Sequence, residues 1–211
     1  MPARLEAFES GRSYRNESHT STWDSHSYFN CNLGHQKLPA SADEVHRLYI
    51  EDQQDRGVGG HPALSGEQMI ARDGERRTQV HEMLESGALK TAEDFHDAAF
   101  IYQHGQTAND YLLAHVLATI AVAKGDTKSL WISAATLDRY LSATGQAQVF
   151  GTQYHSKDGK TWTQDPYQHT LVTDPLRAVL CVPSSQEQEE NLTEFNAGKY
   201  PVHMIPKGCS R

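Results

Sequence analysis

Asp138 and Arg139 stand where chemistry is most to be expected in this chain. Asp138 follows Trp131 by seven residues and Ala134 by four, so on a helix it continues a face otherwise made of Trp131, Ala134 and Ala135. A carboxylate placed there is at least half buried and needs several donors, because a buried charge is costly unless it is paired. It can anchor helices or, with a shifted pKa, move a proton. Asp52 extends the stripe of Val45 and Leu48 in the same way, with Arg56 one turn later and in reach for an ion pair. The alternative there is a solvated helix end.

A second cluster of chemistry lies in Gln146-Ala147-Gln148-Val149-Phe150-Gly151-Thr152-Gln153-Tyr154, where amides and a hydroxyl alternate with apolar residues. Gly151 allows close approach of the backbone to a neighbour or ligand. Gln148, Thr152 and Gln153 can orient a substrate or stabilise an oxyanion, or they can tie a hairpin to the rest of the domain. His104 closes one predicted helix after Gln103, His96 lies two turns earlier, and His115 sits in an apolar helix, so a central histidine cluster is conceivable. Satisfied core or capping histidines are the plainer reading.

Glu93-x-x-His96 and Asp43-x-x-His46 have the spacing that puts a carboxylate and an imidazole on one helix face in di-iron bundles. With 12 histidines and 27 acids such matches also arise by chance, so no metal and no other cofactor is assigned. Phosphate-binding glycine loops and serine-hydrolase elbows are absent, and Gly57-Val58-Gly59-Gly60 follows a helix as a linker does.

Helices must position these residues. Ser41 can cap a helix carrying Val45, Leu48 and Tyr49 to about Arg56, and a second stretch with Val80, Met83 and Leu84 ends near Gly87. Thr91 with Asp94, and Thr107 with Asp110, place a capping hydroxyl and a carboxylate three residues apart. Gly105, Gly125 and Gly145 are expected to close helices in the left-handed conformation. The spacing predicts helices over 91–104, 107–124 and 127–144, antiparallel because their connections are short. The helix from Tyr111 to Ala123 and the turn from Phe95 to Tyr102 are apolar nearly all round and should form the centre.

After Gly145, Val149–Tyr154 and Lys160–Thr163 flank Asp158-Gly159 as two short strands of a hairpin. Asp174-Pro175 opens a short helix through Leu180, and Ser184 with Glu187 forms a capping box for a last one to about Asn196. The fold class is mainly α, an antiparallel helical bundle or helical-hairpin array with a small β-hairpin near 148–164. Residues 1–40 form an irregular arm, 41–197 the helical domain with its hairpin insertion, and 198–211 a C-terminal tail.

A length of 211 residues suits one domain with extensions, and the net charge of −8 gives no electrostatic footprint for nucleic acid or an anionic membrane. No segment has the length and apolar character of a membrane span. Met1 to Ser27 lacks the apolar core of a signal peptide, so the chain is expected to be cytoplasmic, or secreted if a leader has been removed. In the secreted case Asn16-Glu17-Ser18 and Asn191-Leu192-Thr193 would be glycosylation acceptors. The cysteines, Cys31, Cys181 and Cys209, are odd in number and far apart, which suggests neither a disulfide framework nor a thiolate metal site. Cys181 reads as a buried apolar residue.

Glu51-Asp52-Gln53-x-x-Arg56, Gln103-His104-Gly105, Asp138-Arg139 and Gln148-Val149-Phe150-Gly151-Thr152-Gln153 together resemble the bacterial domain-of-unknown-function family 6624 over about residues 45–197. Asp174 and Arg177 resemble its closing segment, although Leu180-Cys181-Val182-Pro183 stands where a Gly-Leu-Pro sequence is expected. The resemblance implies no activity. It does lead to the expectation that Asp52, Arg56, His104, Asp138, Arg139, Gln148 and Gln153 converge.

The expected function is binding of a small polar molecule or peptide by a cofactor-independent enzyme, with hydrolysis as the working reaction and a pocket between helices and hairpin. His104 or Asp138 would handle protons, Arg139 or Arg56 would bind an anionic group, and Gln148, Thr152 and Gln153 would orient the substrate. Asp52, Gln103 and Gly151 would belong to the supporting network. The competing expectation is a non-catalytic helical scaffold in which the same residues form a buried network.

Overall fold

The computed structural model describes residues 42–199, 201, 204–206 and 209, so the expected arm 1–40 and the Ser41 cap lie outside the described residues. Five helices come first: α1 (Ala42–Asp55), α2 (Gly66–Glu85), α3 (Ala92–Tyr102), α4 (Ala108–Ala123) and α5 (Ser129–Ala143). A two-residue strand β1 (His155–Ser156) pairs antiparallel with β2 (Trp162–Thr163), and α6 (Asp174–Val179) and α7 (Ser185–Asn196) complete the order. No helix among the described residues is long and apolar enough to cross a membrane.

The helix starts follow from cap chemistry. Thr91/Asp94, Thr107/Asp110 and Ser184/Glu187 form reciprocal capping boxes at α3, α4 and α7, and Ser65/Gln68 does the same at α2, unanticipated from the sequence. Gly125 and Gly145 take the left-handed conformation as expected, Gly87 takes it too, but Gly105 does not. Gly105 is needed for space instead, since a Cβ there would lie 2.2 Å from Asp110 Cβ.

Small residues let the helices come close. Ala98, Ala99, Ala114, Ala118 and Ala135 are buried where α3, α4 and α5 pack, together with Ile101, Leu117 and Ile132. Val45 and Leu48 of α1 and Val80 and Met83 of α2 cover the other side of α3. Truncating one such aliphatic to alanine removes about 2–5 kcal/mol by transfer and cavity terms. The expectation that α3 and α4 share the centre is corrected in part. Every residue of α3 from His96 to Tyr102 is buried, whereas α4 leaves Leu112 and Val116 exposed at 37% and 44%.

Two further corrections concern the C-terminal half. The hairpin exists, but Val149–Tyr154 is not one of its strands; that segment is a loop held by side chains, joined to Tyr167 by a single parallel bridge at Gln148. Cys181 and Cys209 form a disulfide across 28 residues, against the expectation of no disulfide. Ile205, beyond α7, and Cys181 both pack against the core, so distant sulfurs come together without any spacing motif.

Candidate functional site

Asp138 is fully buried and accepts four hydrogen bonds. Its donors are the amides of Val149 at 2.7 Å, Phe150 at 3.0 Å and Thr152 at 2.9 Å, and the Thr152 hydroxyl at 2.8 Å. Loop N–H groups that would otherwise need a strand partner converge on one carboxylate, which explains why the segment is not a strand. Gln148 locks the same loop from within: its Nε2 donates to the carbonyls of Gln153 at 2.9 Å and Gln164 at 2.6 Å, and its Oε1 accepts from the Gln153 amide at 2.9 Å.

The carbonyl side of the loop is held by residues that the sequence left in the background. Fully buried Arg177 donates from Nη1 to Phe150 O at 2.7 Å and from Nε to Val172 O at 3.1 Å, and its Nη2 donates to the Tyr167 hydroxyl. Gln188 Nε2 also donates to Phe150 O, at 2.6 Å, and Gln164 Nε2 donates to Gly151 O. Gly151 has φ of +68°, and a Cβ there would lie 2.6 Å from Tyr167 Cζ. Arg177 carried a weak signal only through the resemblance noted from the sequence, while Gln164 and Gln188 carried none.

A separate polar network joins α1 to α2. Arg56 Nη1 donates to Asp52 Oδ1 at 2.8 Å and Nη2 to Asp73 Oδ2 at 2.7 Å. Arg76 Nη1 reaches Asp73 Oδ1 at 3.2 Å and Nη2 donates to Asp55, which also takes Arg72 Nη1 at 2.9 Å. Asp52 is fully buried and accepts in addition from Gln53 Nε2 at 2.8 Å, and His104 Nδ1 lies 3.1 Å from its Oδ1. Desolvation lowers the His104 pKa against the pull of Asp52, so the ring is neutral at pH 7. Asp73, Arg76, Val80 and Met83 recur on one face of α2, and that stripe was the available signal for its buried pair.

The expected convergence of seven residues therefore resolves into two networks, one around Asp52, Arg56 and His104 and one around Asp138, Gln148, Thr152 and Gln153. Arg139 belongs to neither. Its Nη1 donates to Gln103 O at 2.9 Å at the C-terminus of α3, where Arg77 likewise takes His104 O at 3.0 Å and Tyr111 takes Gly105 O at 2.9 Å. These three side chains complete the helix end. The Gln103 carbonyl thus accepts from Arg139 at this helix end. Arg139 Nε is buried without a partner, and no described carboxylate pairs with the guanidinium. Desolvation, with the charge of Arg56 nearby, lowers its pKa.

Arg139 lines an open cleft of about 520 Å³ with Tyr111, Gln146, Gln153, Tyr154 and His155. Gln153 Nε2 donates to Ala135 O at 3.2 Å and to Thr152 Oγ1 at 3.0 Å, which ties the cleft wall to the Asp138 loop. Burial pushes the Tyr154 phenol up to about 12, so it is a neutral hydrogen-bonding group at pH 7. Asp138 and His104 are not among the residues lining this cleft. The buried carboxylate has its oxygens filled by loop donors, so its position is that of a loop anchor. Among the described residues His96, His104 and His115 form no central cluster: His96 bonds Ser129 Oγ at 2.8 Å, His104 faces Asp52, and His115 bonds Ser133 O at 2.8 Å. Among the described residues no three His, Cys, Asp or Glu side chains gather as a metal site. No family model, curated protein or solved structure matches this chain.

Proposed function

We propose that the protein binds a small carboxylate in the cleft between the ends of α4 and α5 and the 146–155 loop, with Arg139 taking the anionic group. The observation that carries this is the Arg139 guanidinium, which has a buried, unpartnered Nε and no counter-ion at the wall of an open cleft. An unmade hydrogen bond on a buried cationic group costs about 1–3 kcal/mol or more, a cost relieved by a planar acceptor that matches the guanidinium fork. Tyr111, Tyr154 and Gln153 supply an amphipathic wall for the rest of the ligand. A short peptide offering its C-terminal carboxylate meets the same requirement.

Hydrolysis in this cleft would place the proton-transfer role on His155, the imidazole among the lining residues, and the substrate carboxylate on Arg139. Asp52, Arg56 and His104, and separately Asp138, Gln148 and Thr152, would then act as frameworks on either side. That arrangement supports reading the family-6624 resemblance as a shared framework around a cleft. The Cys181–Cys209 disulfide supports an oxidising compartment over the cytoplasm, where thiols are kept reduced.

A thermal-shift panel of small carboxylic acids, their methyl esters and short peptides tests the binding reading, using wild type, Arg139→Lys and Arg139→Gln. Acids that raise the Tm of wild type alone, with their esters inactive, support it. Equal responses in all three proteins, or none in wild type, refute it.

A further inference from the structure

A second cleft, of about 410 Å³, opens at the other end of the same helices, where the start of α3 meets α1 and the α4–α5 turn. Its walls carry His46, Glu93, His96, Asp97, Lys124 and Lys128. Two imidazoles are anchored here, each through Nδ1. His46 Nδ1 lies 2.8 Å from Oδ2 of Asp97, whose side chain is 2% exposed, while His46 itself is 51% exposed. His96 Nδ1 lies 2.8 Å from Ser129 Oγ, and the Ser129 hydroxyl donates to Asp126 Oδ2 at 2.7 Å.

These contacts fix proton positions. A carboxylate only accepts, so His46 Nδ1 donates to Asp97. The Ser129 proton is given to Asp126, so Ser129 Oγ accepts from His96 Nδ1–H. Both rings therefore keep Nε2 for other work, and no described residue bonds either Nε2. Their environments differ in the direction that separates an acid from a base. The Asp97 hydrogen bond raises the His46 pKa, whereas desolvation lowers that of His96.

Glu93, Asp97 and Asp126 line the cleft against Lys124 and Lys128. Two of the carboxylates are turned to the rings: Asp97 bonds His46, and Asp126 lies 3.2 Å from His96 Nδ1 while accepting from the Lys128 amide at 3.1 Å and from the Ser129 hydroxyl. With Asp97 set against the His46 imidazolium and Asp126 against the His96 ring, Lys124 and Lys128 are the cations that remain for a ligand, beside Glu93.

We propose that this cleft is an acid–base site for a small phosphate ester, with His96 as general base, His46 as general acid, and Lys124 and Lys128 holding the phosphate oxygens. His96 Nε2 takes a proton from water as the water oxygen bonds to phosphorus. The bond from phosphorus to the leaving oxygen breaks, and His46 Nε2–H delivers its proton to that oxygen, giving an alcohol and a phosphate. The rings then exchange protons with solvent, and water is the only co-reactant. Nothing in this proposal depends on the Arg139 cleft.

The test has two readouts on the full chain. Inorganic phosphate is titrated while the ring resonances of His46 and His96 are followed by NMR, and hydrolysis of bis(4-nitrophenyl) phosphate and 4-nitrophenyl phosphate is measured. Wild type is compared with His46→Gln and with the double variant Lys124→Ala/Lys128→Ala, all at exposed positions and checked for unchanged melting. Saturable shifts of both rings, weakened in the lysine variant, are expected, with hydrolysis lowered by about 100-fold or more in His46→Gln, the usual scale of general acid loss. Unmoved rings overturn the site. Phosphate binding without turnover of either ester, or turnover indifferent to His46→Gln, overturns the acid–base assignment.

Discussion

Asp138 and Arg177 grip the same residue from opposite sides: Asp138 accepts the Phe150 amide at 3.0 Å, and Arg177 donates to the Phe150 carbonyl at 2.7 Å. One buried anion thus serves the N–H groups of a loop and one buried cation its C=O group, with the Thr152 hydroxyl completing Asp138 and the Tyr167 hydroxyl and Asp174, at 3.5 Å, completing Arg177. Asp138→Asn leaves a single acceptor oxygen and points an amide donor at loop donors. A loss of about 2–4 kcal/mol is expected in urea unfolding, since hydrogen bonds to charged groups contribute about 1.5–3 kcal/mol each. Amide exchange should accelerate first at 149–152.

Gly151→Ala meets two obstacles, a φ of +68° and the Tyr167 ring at 2.6 Å from the new Cβ. Backbone strain of about 1 kcal/mol and overpacking of about 1–3 kcal/mol add to a destabilisation of about 2–4 kcal/mol. Gly159→Ala, with comparable φ of +71° and open space, should cost only the backbone part. Equal losses for the two variants would contradict the close-approach reading.

Asp73 lies between Arg56 and Arg76. Asp73→Ala removes the carboxylate that Arg56 and Arg76 share while leaving Arg56 on Asp52 and Arg76 on Asp55, and should cost about 1.5–3 kcal/mol, the scale of a lost hydrogen bond to a charged group. Guanidinium and urea melts would both show it. A loss below about 1 kcal/mol would mean that the network behaves as a solvated surface.

Cys209→Ser removes a crosslink that closes 28 residues and should cost about 2–4 kcal/mol. Reductant should lower the Tm of wild type by the same amount and leave the variant unchanged. A reductant-insensitive wild type would contradict the crosslink.

The histidines titrate in different directions. His46 should titrate above 6.5 because Asp97 holds its proton, while His96 and His104 titrate below it because burial disfavours their charge. A raised folded-state pKa means that the His46 contribution is present below 6.5 and lost as pH rises through the folded value. For His96 and His104 the sign reverses: the unfolded chain binds the extra proton, so their contribution falls as pH drops through 6.5. NMR titration of Asp97→Asn should bring His46 back toward 6.5 and leave His104 where it was.

Seven helices were legible because their ends carry local chemistry: hydroxyl and carboxylate three apart at Thr91, Thr107 and Ser184, and apolar spacing between. The burial of Asp138 was legible from the Trp131–Ala134 face. The 149–154 strand was misread because alternating polar and apolar residues are common to a strand and to a loop whose alternate groups are bound from two sides. Gln164 and Gln188 were hidden, and Arg177 showed only through the resemblance, because their partner carbonyls lie 13, 38 and 27 residues away. Polar residues of that kind have no periodicity to betray them. The Cys181–Cys209 pair was hidden for the same reason.

The most direct measurement is the Arg139 Nε–Hε NMR signal, assigned through Arg139→Lys and followed while a small carboxylic acid selected by its thermal shift is added. A carboxylate that completes the unpartnered Nε should move this signal saturably downfield, with the Arg177 Nε–Hε signal fixed by its bond to Val172 O serving as the unmoved control. An Arg139 signal that stays in place at saturating acid would contradict the anion-binding cleft and leave Arg139 as the cap of α3.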